Sequence, residues 1–328
     1  MPMRPSPDPA TLSRAQGCLL GQLAGDSLGG LVEFQTPQEI WRKHPHGVRE
    51  LANGGTWGTL AGQPTDDSEM ALMLARMLVR LRRYDSEEAR KVYLFWFHSA
   101  PFDCGGTVSS GLRGTPDTDS QANGALMRIS LLGIFGANYD LAQVSVWAQQ
   151  DASLTHPHPV CLQANALFAK AIADAIGAKK GPQDLYRQIE TWAAEMKVEA
   201  PLMKAIVDAS TSPPPEYIRQ QGWVLIAFQN ALWQLLHAPS LEEGVVDTVM
   251  RGGDTDINAA IAGALLGAVH GLEAMPAKWR DKLLNCRPEA RRRHVRHPRP
   301  ECFWPVDALD LAMSLLDGGA NDSDSPSV

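Results

Sequence analysis

No stretch of this 328-residue chain sustains an alternation of apolar and polar residues, whereas helical spacing recurs along its length. A half-buried strand alternates; an amphipathic helix repeats its apolar positions every three to four residues. Residues 68–81 show the helical pattern plainly, with Met70, Leu74, Met77, Leu78 and Leu81 on one stripe. The same spacing predicts helices over 87–98, 124–134, 141–150, 160–176, 183–196, 222–236 and 306–316. Two further segments are richer in small residues. Residues 12–31 place Gly17, Gly21 and Gly25 four apart, and 257–272 carry Ala259, Ala260, Gly263, Ala264, Gly267 and Ala268. Small residues at that spacing let two helices approach closely, at a cost in intrinsic helix stability.

There is no βαβ alternation and no fixed-length repeat, so the expected class is all-α: one multi-helix domain around one core. At 44% hydrophobic residues the chain can build a sizeable core. The domain is expected over 13–317, with a disordered Pro-rich segment at 1–12 and a disordered tail at 318–328. The formal charge of -7, without a basic stripe, speaks against nucleic-acid binding. The one basic run, from Arg291 to Arg299, reads as a solvated loop. Five cysteines without a CxxC pair fit neither a disulfide framework nor a zinc site, and suit a reducing cytoplasm. No signal core and no apolar run of membrane-spanning length is expected, hence no membrane partner.

The chemistry is concentrated in loops. Thr65-Asp66-Asp67-Ser68 and Gly252-Gly253-Asp254-Thr255-Asp256 each precede a helical run. Either cluster alone would serve as an ordinary helix N-cap. Two clusters with paired acids exceed what capping needs, and four carboxylates in one cleft would repel strongly. A hard divalent cation such as Mg²⁺ or Mn²⁺ removes that repulsion. In Ala100-Pro101-Phe102-Asp103-Cys104-Gly105-Gly106-Thr107, Asp103 is either a turn former or an acid presented into a cleft. Ser120-Gln121-Ala122-Asn123-Gly124-Ala125 is either a turn or a phosphate-accepting helix start. His156, between Thr155 and Pro157, reads as a structural histidine, and Glu33 reads by pattern as an exposed acid. No P-loop, Gly-x-Ser-x-Gly elbow, dinucleotide fingerprint or HExxH occurs.

Gly25-Asp26-Ser27-Leu28-Gly29, Thr65-Asp66-Asp67-Ser68 and Gly252-Gly253-Asp254-Thr255-Asp256, in this order and followed by a small-residue helix, resemble the ADP-ribosylglycohydrolase family. Trp96, Phe102-Asp103-Cys104-Gly105, the run from Asn123 to Arg128 and Leu154-Thr155-His156 are similar to its bacterial dinitrogenase reductase-activating branch. The likeness extends over about residues 13–316. It implies an all-α, orthogonal ADP-ribosylhydrolase-type fold with a binuclear Mg²⁺ or Mn²⁺ centre in a loop-lined cleft. It further implies Thr65, Asp66, Asp67, Asp254 and Asp256 as metal ligands. Ser120, Asn123, Gly124, His156 and Trp223 would hold ADP-ribose, and Asp103, Asp67 and Glu33 would form the catalytic set. The implied activity is metal-dependent hydrolysis of the N-glycosidic bond between ADP-ribose and arginine. The implied partners are an ADP-ribosylated protein and ADP-ribose, with a monomer as the working expectation.

Two positions depart from the family pattern. Ile257 stands where a ligating Thr or Ser is usual, so one of the two ions is expected to bind more weakly. Trp223 stands where Tyr is common, keeping a stacking face but offering N–H in place of O–H. Alternatives stay open: a serine, small-molecule or nucleic-acid-end linkage, or a catalytically silent ADP-ribose-binding protein, which Ile257 would favour.

Overall fold

The computed structural model describes residues 7–318, and among these residues there are fifteen α-helices and no strand. In chain order they are α1 (Pro9–Gly29), α2 (Pro37–Lys43), α3 (Asp66–Leu81), α4 (Ser86–His98), α5 (Gly106–Leu112), α6 (Ser130–Phe135), α7 (Leu141–Ser153) and α8 (Pro159–Gly177). They continue with α9 (Pro182–Met196), α10 (Ala200–Asp208), α11 (Val224–His237), α12 (Leu241–Met250), α13 (Thr255–His270), α14 (Ala277–Leu284) and α15 (Ala308–Gly318). The all-α expectation is met.

Several boundaries differ from expectation, each for a local reason. Helix α1 begins inside the segment expected to be disordered. Asp8 accepts a hydrogen bond from Thr11 N at 3.1 Å, and Pro9 takes the first helical position, where its missing N–H costs nothing. Residues 1–6 and the expected tail from 319 on lie outside the described residues. Helix α2 is set by a capping box between Thr36 and Glu39 rather than by an apolar stripe, so periodicity does not reveal it. The helix expected over 124–134 divides into a 3-10 turn, Leu126–Arg128, and α6. Helix α8 contradicts the expectation that no apolar run reaches spanning length. Its 19 residues suffice by length and composition, but 78% of the window is buried inside the protein, as in a core helix.

The small-residue stripes of α1 and α13 meet each other antiparallel. A Cβ on Gly21 would sit 2.1 Å from Gly263 O, and one on Gly29 only 2.4 Å from the Asp256 backbone. The two helices therefore touch backbone to backbone, and the C-terminal end of α1 abuts the N-terminal end of α13. Thr255 locks that end by donating to Gly29 O at 2.7 Å. Gly21→Ala should lower stability by about 1–2 kcal/mol. Overpacking against a backbone that cannot yield outweighs the roughly 1 kcal/mol that Ala gains over Gly within a helix. The urea midpoint should fall relative to Gly181→Ala, whose Cβ would meet nothing within 4 Å. Equal midpoints would show that the helices are not pinned here.

Candidate active site

The docking of α1 on α13 decides which acids are free. Helix α3 starts at Asp66, yet its N-cap Thr65 makes no side-chain capping bond. Asp26, from α1, reaches across and caps it instead, accepting from Thr65 N at 3.1 Å and from Ser68 N at 3.2 Å. Asp254 likewise stands at the N-cap of α13 without a capping bond. Neither acidic cluster is spent on capping, and the helix starts aim these carboxylates into a cleft.

That cleft holds about 300 Å³ and is lined by six carboxylates, Glu33, Asp66, Asp67, Asp103, Asp254 and Asp256, with no Lys or Arg on its wall. Carboxylate oxygens of Glu33, Asp103 and Asp256 lie within 4.8 Å of one another. Burial raises all six acids, and repulsion by neighbouring acids adds to it for all but Asp254. Glu33 is pushed up to about 8 by burial, then by Asp103 and Asp254. Asp103 is pushed up to about 6 by burial and Asp254. Asp66, Asp67 and Asp256 are held well above the usual carboxylate range by burial and by the surrounding acids. Burial also raises Asp254, against the pull of Asn123, whose Nδ2 donates to Asp254 Oδ2 at 2.8 Å.

The donor set fits a hard divalent cation. The ring is all oxygen, carries excess negative charge, and leaves Asp67 Oδ1 buried without a hydrogen-bond partner. Thr65 Oγ1 lies 2.9 Å from Asp26 Oδ1 and 2.8 Å from Asp67 Oδ2, and its single proton can satisfy only one of them. Glu33, Asp103 and Asp256 converge closely enough to hold a cation, and Asp66, Asp67 and Asp254 line the same cleft. Ile257 lines the same wall half-buried and offers no side-chain oxygen; its N–H donates to Asp256 Oδ1 at 2.9 Å.

The rest of the lining is uncharged. Asn123, Gly124, Gly222 and His156 belong to it. Asn123 N donates to Gly222 O at 2.9 Å, tying the Asn-Gly loop to the chain before α11. Gly124 packs under His156: a Cβ there would come within 3.2 Å of the imidazole Nε2 and 2.9 Å of Val108. His156 is fully buried and stays neutral, its pKa lowered to about 3 by burial and then by Arg128. Its Nδ1 pairs with Thr155 Oγ1 at 2.8 Å, while Nε2 is unpartnered. Behind this wall Arg128, with 0% exposure, donates to Asp151 through Nε at 3.0 Å, and Tyr93 donates to the same carboxylate at 2.9 Å. This buried pair fixes the Asn-Gly loop to the turn that carries His156.

Three expected contacts fall outside the cleft. Thr65 is buried just beneath it, between Asp26 and Asp67. Ser120 does not itself line the cleft but is bonded at 2.8 Å to Thr107, which does. Trp223 donates to Gln121 Oε1 at 2.9 Å and faces an adjoining shallow hollow with Arg219 and Gln220, which shares Ala122, Gln221 and Gly222 with the cleft. Glu33, expected exposed by pattern, is 5% exposed, because Trp57 folds over it and donates Nε1–H to Glu33 Oε2 at 2.7 Å. The basic run is solvated at Arg291–Arg293, but its far end is not. Arg299 is buried in a fork with Glu69, at 2.8 and 2.7 Å, and His297 stacks on Phe102 at 4.6 Å. Sequence reasoning quoted Asp26 within a motif but gave it no role, and it missed Phe34 and Trp57. A lone acid within the small-residue stripe of α1 was the available signal for Asp26; the two aromatics lie in aperiodic loops and gave none.

Known proteins share this chain's sequence pattern and fold. The family profile described as ADP-ribosylglycohydrolase matches residues 7–312. The ADP-ribosyl-[dinitrogen reductase] glycohydrolase of Rhodospirillum rubrum is 30% identical over 324 residues, covering 94% of this chain and 99% of that protein. The ADP-ribosylarginine hydrolase Tri1 of Pseudomonas putida (strain GB-1) is 27% identical, covering 94% of this chain and 82% of that one. A solved structure described as an ADP-ribosylglycohydrolase-related protein complex superposes with a TM-score of 0.76 at 25% identity, covering 94% of this chain and 99% of that chain.

Proposed function

This chain belongs to the ADP-ribosylglycohydrolase family, and from that premise we propose that it hydrolyses, in a divalent-cation-dependent reaction, the N-glycosidic bond between ADP-ribose and a modified arginine side chain. The observation that supports this reading most directly is the cleft itself. Six carboxylates without a cationic side chain share the cleft with the neutral Asn123, Gly124 and His156. The similarity to the Rhodospirillum and Pseudomonas proteins, named for dinitrogen reductase and for ADP-ribosylarginine, favours a protein substrate and the arginine linkage.

Roles for the residues follow from their environments. Mg²⁺ or Mn²⁺ held by Asp66, Asp67, Asp254, Asp256 and Glu33 would offset the ring's charge and supply Lewis-acid polarisation. Asn123 orients Asp254 through its amide. The neutral His156 and the wall at Gly124 accept the sugar-phosphate part without adding charge. Asp103, with its carboxyl raised to about 6, holds or releases a proton near neutral pH beside the linkage. The surrounding carboxylates stabilise positive charge that develops at the anomeric carbon as the bond breaks. Trp57 fixes Glu33 and shields it from solvent.

The deciding assay measures ADP-ribose release from one peptide modified on arginine and the same peptide modified on serine, with and without chelator. The arginine linkage should be cleaved faster, and chelator should stop the reaction. Faster cleavage of the serine linkage would overturn the arginine assignment. Tight ADP-ribose binding with no cleavage of either would instead favour a silent binding protein, the reading to which Ile257 points.

A further inference from the structure

An exposed aromatic ring in a strained backbone stands at the mouth of the cleft. Phe34 is 53% exposed, lines the cleft beside Glu33, and has φ of 66°, in the left-handed region that a bulky residue rarely adopts. Two backbone hydrogen bonds hold it there. Phe34 N donates to Gly253 O at 2.8 Å, and Gly253 N donates to Gln35 O at 3.0 Å. The strained turn is thus clamped to the loop that presents Asp254. Trp57 meets Phe34 edge-on at 6.5 Å, Phe102 lies 6.2 Å from Trp57, and His297 backs Phe102. Phe34 and Phe102 are the immediate chain neighbours of Glu33 and Asp103, two of the three acids that converge on one point. Folding favours burying such rings, and backbone strain of this kind persists where the surroundings enforce it, often at ligand-binding positions.

We propose that Phe34, Trp57 and Phe102 form an aromatic rim that receives the guanidinium of the arginine acceptor as it leaves the cleft past Glu33 and Asp103. This rests on the arginine reading above and adds to it the residues that select the acceptor. A planar, weakly hydrated guanidinium is attracted to the faces of aromatic rings, and the adjoining carboxylates supply the opposite charge. A neutral serine hydroxyl gains nothing from either. The rim therefore discriminates between linkages, whereas the Asn123–His156 wall holds the part common to all substrates.

The test compares kcat/KM for the arginine- and serine-modified peptides in the parent, Phe34→Leu and Phe102→Leu, with inhibition by free ADP-ribose as a measure of the pocket itself. Both Leu variants keep apolar bulk but lose the π face. The arginine-to-serine ratio should fall roughly 2- to 30-fold, the range that a cation–π contact spans between exposed and desolvated settings. Inhibition by free ADP-ribose should change less than about two-fold, and Phe34→Tyr, which keeps the ring, should restore the ratio. A parent preference for arginine that survives in both Leu variants would overturn the rim while leaving the proposed function standing. A parent that prefers serine would overturn both. Weakened ADP-ribose inhibition in step with the ratio would show that the rings belong to the ADP-ribose pocket and would also overturn the rim.

Discussion

Asp254→Asn should reduce ADP-ribose release by on the order of 10³-fold and, at the same time, raise the stability of the metal-free protein. Loss of an anionic ligand removes several kcal/mol of transition-state stabilisation, and each 1.36 kcal/mol is about tenfold in rate. The shape is nearly kept, because the Asn amide oxygen still accepts from Asn123 Nδ2, as Asp254 Oδ2 does at 2.8 Å. What disappears is one charge from a ring in which burial already raises Asp254 and in which Asp254 in turn raises Glu33, Asp66, Asp67, Asp103 and Asp256. Each kcal/mol of relief should raise the thermal midpoint by about 2 °C in a chain of this size. Activity assays and melting curves in chelator read the two effects separately. Undiminished turnover at limiting metal would remove the metal-site reading. Activity lost together with stability would mean that the substitution damages the fold.

Metal-free protein should lose stability as the pH rises from about 6.5 to 8. Glu33, pushed up to about 8, keeps its proton in the folded chain at pH values where the unfolded chain has released it. The folded state then binds more protons than the unfolded state, so stability falls with pH, by at most about 1.4 kcal/mol per pH unit for each such group. Asp66, Asp67 and Asp256, held well above the usual range by burial and neighbouring acids, act in the same direction. Below about 6.5 the trend is opposed. His156, lowered to about 3, stays neutral in the fold while the unfolded histidine takes up a proton. Saturating Mg²⁺ or Mn²⁺ should remove most of the slope by replacing those protons. A remainder should persist from Glu69, which burial pushes up to about 7 in spite of Arg299. Urea midpoints at pH 6.5 and 8, with chelator or with metal, test this. A midpoint that rises with pH in chelator would contradict the crowded-carboxylate ring.

Much of this was legible in the sequence because it rests on local pattern. The long helices announce themselves by apolar spacing, and Asp66, Asp67, Asp254 and Asp256 stand out as paired acids at helix starts. Glu33 was not readable from pattern alone, because its burial depends on Trp57 folding over it from 24 residues away. Asp26 hides for a similar reason: its role as a cap is performed on another helix, 39 and 42 residues downstream. Arg299 belongs by sequence to a solvated basic run, yet its partner Glu69 is 230 residues earlier and buried. Trp223 and Ser120 show the converse pattern. Their neighbours Gly222 and Asn123 do line the cleft, but the side chains turn to Gln121 and Thr107 instead.

The antiparallel seating of α1 on α13 also governs when the ring of acids can exist during folding. The bond from Thr255 to Gly29 closes 226 residues of chain, at an entropic cost of about 5 kcal/mol by the logarithmic law for loops. Contacts of such sequence separation form late relative to local helices. A ribosome-bound chain that has exposed α1 and α3 therefore holds only Asp26, Glu33, Asp66 and Asp67, hydrated and apart from their counterparts. The full repulsion, with Asp254 and Asp256 included, is met only when the last third of the protein has been synthesised and docked.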